Sequence, residues 1–189
     1  IIGTLGIYCT NSFAKYEDGT PRILSRDLTN MIMTHIVNDI RSEFEPNWQR
    51  RGMWDKSYYE ARVPEVPAML LELLSHQNFA DMKYGLDPNF RFAVSRAIYK
   101  GMLEFISKRE GREYVVQPLP VKTFAIDNLT NGELKLTWVA TLDSLVEGGA
   151  EPTHYIVCER VGDGAFKEIA TVSKPNYTIT ISDNEIHSY

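Results

Sequence analysis

Apolar positions recur every four residues from Leu28 through Ile32, Ile36 and Ile40 to Phe44, with Met31 and Val37 widening the stripe. That period predicts an amphipathic helix that lays one face on a sheet. Ser25 is placed to cap it, Asp27 to meet the helix dipole in its first turn, and Pro46 to end it. Upstream, "GTLGIYC" (Gly3 to Cys9) is short, rich in β-formers and bounded by Gly and Asn, which predicts a strand. The "TNSFAKYEDGTPR" that follows carries the Asp18-Gly19 turn signal and is expected to be a loop. Downstream, "VPAMLL" (Val66 to Leu71) lacks polar alternation, as a strand covered on both faces would. Asp87-Pro88 then opens a second long helix, with Asp87 as cap and Pro88 in the first turn, where its missing N–H costs nothing. Phe90, Val94, Ala97, Gly101 and Phe105 lie along one side of it, Lys108 and Arg109 suit its C-terminal end, and Gly111 can close it.

After Pro118-Leu119-Pro120 the period changes to two. In "ELKLTW", Leu134, Leu136 and Trp138 point one way and Glu133, Lys135 and Thr137 the other; "HYIVCER" and "YTITI" behave alike, and Gly162-Asp163-Gly164 makes a turn. Two fold classes are expected in one chain. Residues 1–112 form part of an α/β unit, residues 113–120 a linker, and residues 121–189 an all-β, immunoglobulin-like sandwich.

Composition narrows the choice of partners. With 25 acidic residues against 20 basic ones and a formal net charge of −5, the balance argues against a nucleic-acid partner, which would normally demand a basic face. No apolar run approaches the roughly 20 residues that span a bilayer. The opening Ile1-Ile2-Gly3 reads like the middle of a protein rather than a signal peptide. Cys9 and Cys158 fall in different predicted domains, so each is expected to pack as a small apolar residue rather than pair.

The region from Arg50 to Ile106 carries several separated pieces in a fixed order: Arg51-Gly52; Arg62; Val66-Pro67-Ala68; Leu70-Leu71-Glu72; Ser75 and Asn78; then Ala97-Ile98 with Gly101-Met102. This order resembles the C-terminal half of the zinc-dependent N-acetylmuramoyl-L-alanine amidases, which cut the bond between muramic acid and the peptide in bacterial cell walls. "GTLGIYC" looks like the strand that follows the last zinc-binding histidine of that family. Residues Val121 to Tyr189 resemble an incomplete fibronectin type III domain, with Trp138 in the second strand, Tyr155 in the third, and Tyr189 at the place of a buried corner tyrosine.

The amidase resemblance implies a phosphorylase/hydrolase-like α/β domain in which Glu72 is the catalytic proton-transfer residue. A carboxylate at the C-terminal edge of a parallel strand would also lie where open α/β sheets expose their sites. Zinc is the implied cofactor. Its ligands are expected before Ile1, so that no complete metal site is expected within this chain, which reads as an excerpt lacking activity by itself. Among the histidines present, His35 belongs to the first long helix, and His154 and His187 to the sandwich. His76 alone lies near Glu72, and Glu72…His76 has the spacing of two ligands on a helix, although the local pattern is a strand entering a loop. The family usually has an aromatic residue just after its glutamate, where this chain has Leu73-Leu74.

Other residues admit functional and structural readings side by side. Arg62 could orient a substrate carboxylate or pair with a neighbouring acid. Trp48, Trp54, Tyr58 and Tyr59 could stack on sugar rings or pack at a helix end. Arg50-Arg51 could meet an acidic glycan. The implied setting is a bacterial protein that is secreted, periplasmic or in the cell envelope, acting on peptidoglycan or a cell-wall glycan. Two rivals stand beside the amidase: a polysaccharide-degrading lyase or glycan hydrolase with a type III module, and a non-catalytic envelope-binding protein on an amidase scaffold.

Overall fold

The computed structural model describes residues 3–130 and 132–189; Ile1 and Ile2, read above as the middle of a protein, lie outside the described residues, as does Asn131. The chain divides into two compact units, Ile1–Tyr114 and Val115–Tyr189. The whole is a mixed helix-and-sheet structure built from small sheets.

In the first unit, strand β1 (Thr4–Tyr8) is central, flanked by β2 (Arg50–Asp55) and β3 (Leu70–Glu72). Strand β2 runs parallel to β1, whereas β3 runs antiparallel to it, with Leu5 opposite Glu72 and Ile7 opposite Leu70. Helix α1 (Ile23–Glu43) covers one face of the sheet, and the short α2 (Tyr59–Arg62) and α3 (Phe79–Leu86) precede the long α4 (Pro88–Glu110). The four-residue stripe of α1 is buried as its pattern predicts, and Leu28, Ile32, Ile36, Val37 and Ile40 share one core with Phe90, Val94, Ala97 and Phe105 of α4. Two glycines mark the closest approaches. A methyl at Gly6 would lie 2.5 Å from Thr29 Cγ2, where α1 crosses β1, and one at Gly101 would lie 2.6 Å from Ile32 Cα, where α4 crosses α1. Thus the stripe meets α4, and Thr29 and Met33 beside it meet the sheet.

Helix α4 begins and ends as its sequence dictates. The Asp87 side chain accepts from the Asn89 amide, Pro88 stands in the first turn, and Gly111 closes the helix in the left-handed region at φ 63°. Helix α1 differs at its start: Arg22 is the cap position, no side chain caps it, and Asp27 falls beyond the first turn. Ser25 is inside the helix and fully buried, where its hydroxyl oxygen meets Tyr16 Oη at 2.6 Å and accepts from the Ala68 amide at 3.2 Å. Between the helices, Asp39 and Lys100 form an ion pair at 2.8 Å with both side chains almost fully buried.

The second unit is all β among its described residues, apart from a single 3-10 turn. Strands β4 (Lys122–Asn128), β5 (Glu133–Val139) and β8 (Asn176–Thr180) form one antiparallel sheet in the order β4-β5-β8. Strands β6 (Tyr155–Val161), β7 (Lys167–Val172) and β9 (His187–Ser188) form another in the order β7-β6-β9. Leu136 and Trp138 of β5 share a core with Val157 of β6, and Tyr155, Ile169, Val172, Tyr177 and Tyr189 pack around it. The Trp138 and Tyr155 rings meet edge to face across this core at 5.3 Å. Both cysteines are free thiols; Cys9 is buried, while Cys158 is only partly so.

Candidate functional site at the end of strand β3

The strand predicted over Val66–Leu71 is shorter and later than its composition suggests. Pro67 has no N–H to give a ladder, and the Ala68 N–H is taken by Ser25 Oγ, so pairing begins only at Leu70. The residues that follow Glu72 are held by their own side chains. Asn78 caps α3 by accepting from the Ala80 and Asp81 amides at 3.0 and 3.2 Å, and the buried Asp81 carboxylate reaches back to accept from the Ser75 amide at 3.1 Å. The Ser75 and Asn78 of the motif therefore act locally as a turn and a helix cap, which fixes the way the chain leaves β3.

Glu72 itself is exposed at the end of β3. Directly opposed residues of an antiparallel pair share a face, so its side chain emerges on the face of Leu5 and Ile7, whereas Gly6 meets α1. Its neighbour is Arg51, at 3.8 Å, with side-chain exposures of 49% for the glutamate and 34% for the arginine. Arg51 is the extra residue of a bulge, because Thr4 pairs with Arg50 and Leu5 with Gly52. The bulge separates the two arginines. Arg50 turns to α1, donating to Asn30 Oδ1 at 2.8 Å and Thr34 Oγ1 at 3.1 Å, and burial lowers its pKa. Arg51 is free to face Glu72. No spacing rule in the sequence marked that pairing; the signal was the Arg-Gly step that makes the bulge.

The pairing direction corrects the sheet-edge expectation. Because β3 opposes β1, the end of β3 lies where β1 and β2 begin, and Glu72 stands opposite Leu5. The rim at which the two parallel strands end is about 10 Å away along β1. The rule that open α/β sheets expose their sites at carboxyl ends of parallel strands therefore lends Glu72 no support. At that other rim the Thr10 amide donates to Asp55 Oδ1 at 2.9 Å, the Thr10 hydroxyl donates to Asp55 Oδ2, and Ser12 and Ser57 hydroxyls meet at 3.1 Å. These groups satisfy one another.

Arg62 closes α2, and its carbonyl accepts from Arg22 Nη1 at 3.0 Å. Arg22 begins α1, whose Ser25 holds Ala68 ahead of β3, so the Arg62 backbone is linked to the start of α1, and among the described residues no hydrogen bond or ion pair joins Arg62 to Glu72. The structure does not bring these two candidates together. The aromatic group divides as well. Trp48 is fully buried, its ring N–H donating to Thr4 Oγ1 at 2.7 Å, while Trp54, Tyr58 and Tyr59 are exposed at 44%, 47% and 67%. His76 sits exposed in the turn after β3, and His35 on α1 meets Glu104 of α4 at 2.9 Å. Glu104 is pushed up by burial, but hydrogen bonds from Lys108 and His35 outweigh this and hold it below the usual carboxylate range.

Among the described residues no three of His, Cys, Asp and Glu gather as a set that could hold a metal ion. Glu72 and His76 stand on a strand and a turn, not on the single helix face where such spacing makes two ligands converge. The described residues by themselves do not fit a zinc ion. No helix among them is long and apolar enough to cross a membrane.

No family model, curated protein or solved structure matches the chain.

Proposed function

We propose that this chain is part of a bacterial cell-wall hydrolase, secreted or held in the envelope, that cleaves the amide between muramic acid and L-alanine in peptidoglycan. The observation that carries it is the order of separated motifs from Arg51-Gly52 through Arg62, Val66-Pro67-Ala68 and Leu70-Leu71-Glu72 to Gly101-Met102. Glu72 is exposed at a strand end, just before a turn fixed by Asn78 and Asp81. The resemblance implies zinc, which the described residues do not by themselves fit, and none of the following steps depends on it.

In this reading the Glu72 carboxylate takes a proton from the attacking water and returns it to the leaving amine. Its exposure gives substrate access, and Arg51 beside it can hold an anionic group of the wall polymer, since a guanidinium at 3.8 Å is a loose partner that a substrate carboxylate can displace. The second unit serves as a spacer or binding module of the fibronectin type III kind. Support for that assignment is the strand order β4-β5-β8 facing β7-β6-β9, and the buried pair of Trp138 and Tyr155.

The test is product analysis. Purified peptidoglycan is incubated with the full-length protein, and the products are separated by mass. New alanine amino groups without new sugar reducing ends or unsaturated sugars are expected. New glycan ends without new amines would replace the amidase with a glycan-degrading enzyme.

A further inference from the structure

The sandwich carries a carboxylate on its inner side. Along β6, Tyr155 and Val157 enter the core, and Glu159 follows at the same alternation. An inward carboxylate needs donors. Glu159 Oε1 receives two: the Tyr189 hydroxyl at 2.9 Å and His187 Nδ1, also at 2.9 Å. The opposite ring nitrogen, His187 Nε2, lies 2.8 Å from Asp183 Oδ1, so one imidazole is gripped between two carboxylates. Its side chain is 10% exposed, Glu159 is 16% exposed, and Asp183 is 52% exposed.

We propose that His187 is a pH-sensitive latch that, in its protonated form, holds the turn from Asp183 to Ile186 and strand β9 against β6, and that loosens on deprotonation. The chemistry is a matter of donors. An imidazolium has two N–H groups and satisfies both carboxylates, whereas a neutral ring has one and turns a lone pair toward the other. Glu159 keeps the Tyr189 hydroxyl and is the less exposed acid, so the bond to Asp183, whose carboxylate water can solvate, is the one released. The Asp183 carboxylate also accepts from the Glu185 amide at 3.0 Å, and the Gly162 amide donates to the Ile186 carbonyl at 2.8 Å, so the backbone of the turn is tied to the same latch.

The other charged or titratable groups around the ring fit this direction. Arg160 of β6, opposite Ser188, donates to its hydroxyl at 3.3 Å and lies over the Phe166 ring, and Lys167 of β7 stands opposite Glu159. Tyr189 is pushed up by burial and by its bond to Glu159, and stays a neutral donor at physiological pH. The bond to Asp183, then that to Glu159, raise the His187 pKa above its ordinary 6.5, and the bond from His187 lowers that of Asp183. The sign follows. A raised pKa contributes stability that is complete below the unfolded value and is lost as pH rises through the folded one, so while Asp183 is ionised the latch is shut below about 6.5 and opens above it.

Imidazole NMR of the intact chain reads the His187 titration directly, and hydrogen exchange of the Gly162 amide, corrected for the intrinsic pH dependence, reads the tie to Ile186. His187 is expected to titrate above 6.5 and to move down in Asp183→Asn. Corrected Gly162 protection should fall through that titration by about tenfold per unit of displacement. It should be flat in His187→Gln and unaltered in His154→Gln. Titration at or below the ordinary value, unchanged titration in Asp183→Asn, or Gly162 protection that ignores the titration in the unmutated chain overturns the latch, whether or not His187→Gln folds.

Discussion

Gly101→Ala puts a methyl where the two long helices of the first unit touch. The new Cβ would lie 2.6 Å from Ile32 Cα and 2.8 Å from Ile32 N, and these are backbone atoms that no rotamer change can move. Ordinary carbon contacts sit at about 3.5–4.0 Å, so α1 and α4 must part locally by about 1 Å. Overpacking of this kind costs about 1–3 kcal/mol. Against it stands the gain of about 1 kcal/mol from replacing glycine by alanine within a helix. A backbone-on-backbone clash belongs at the upper end of the overpacking range, so the net effect is a loss of about 1–2 kcal/mol, or about 4–8 °C in Tm for a unit of this size. Because the α-helices among the described residues all belong to the first unit, ellipticity at 222 nm during heating follows that unit. Gly85→Ala is the contrast: its nearest contact is Leu74 Cδ1 at 3.1 Å, the movable end of a side chain, so propensity wins and Tm stays or rises. A Gly101→Ala chain as stable as the original would refute the helix contact.

Two further substitutions test other parts of the first unit. Asn78→Ala removes the acceptor for the Ala80 and Asp81 amides and should cost about 1 kcal/mol, read by urea unfolding, with faster hydrogen exchange in the turn after Glu72. Glu104 has a depressed pKa, so its stabilisation is present above the ordinary value of 4.5 and is lost as pH falls through the folded one. The Tm of the unmutated chain should therefore fall more steeply than that of Glu104→Gln between about pH 5 and 3, and parallel curves would contradict the assigned bonds from Lys108 and His35.

What could be read from the sequence was whatever short-range chemistry decides. Helix α4 is announced at both ends by Asp87-Pro88 and Gly111, and the alternation of Leu134, Leu136 and Trp138 survives because each alternate side chain enters one core. What could not be read depended on distant partners. Nothing within Val66–Glu72 records that β3 runs against β1, since strand direction is set by how the chain returns to the sheet; the sheet-edge argument for Glu72 failed for that reason. Helix α3 was hidden because Phe79 and Leu86, 81% and 70% exposed, make no buried stripe. Trp48 and Trp54 look alike in sequence, yet a partner at Thr4, 44 residues away, takes one into the core and leaves the other outside. Ser25 resembled a cap and is instead the buried acceptor that determines where β3 starts.

The most direct measurement compares the rate of muramyl-peptide amide hydrolysis by the full-length protein and by its Glu72→Gln variant, with folding verified by ellipticity. Loss of a proton-transfer group predicts a fall in kcat of about 10²–10⁴-fold, with KM little changed, because the amide keeps the shape of the acid and its place beside Arg51. An undiminished kcat in Glu72→Gln would contradict the role assigned to that carboxylate.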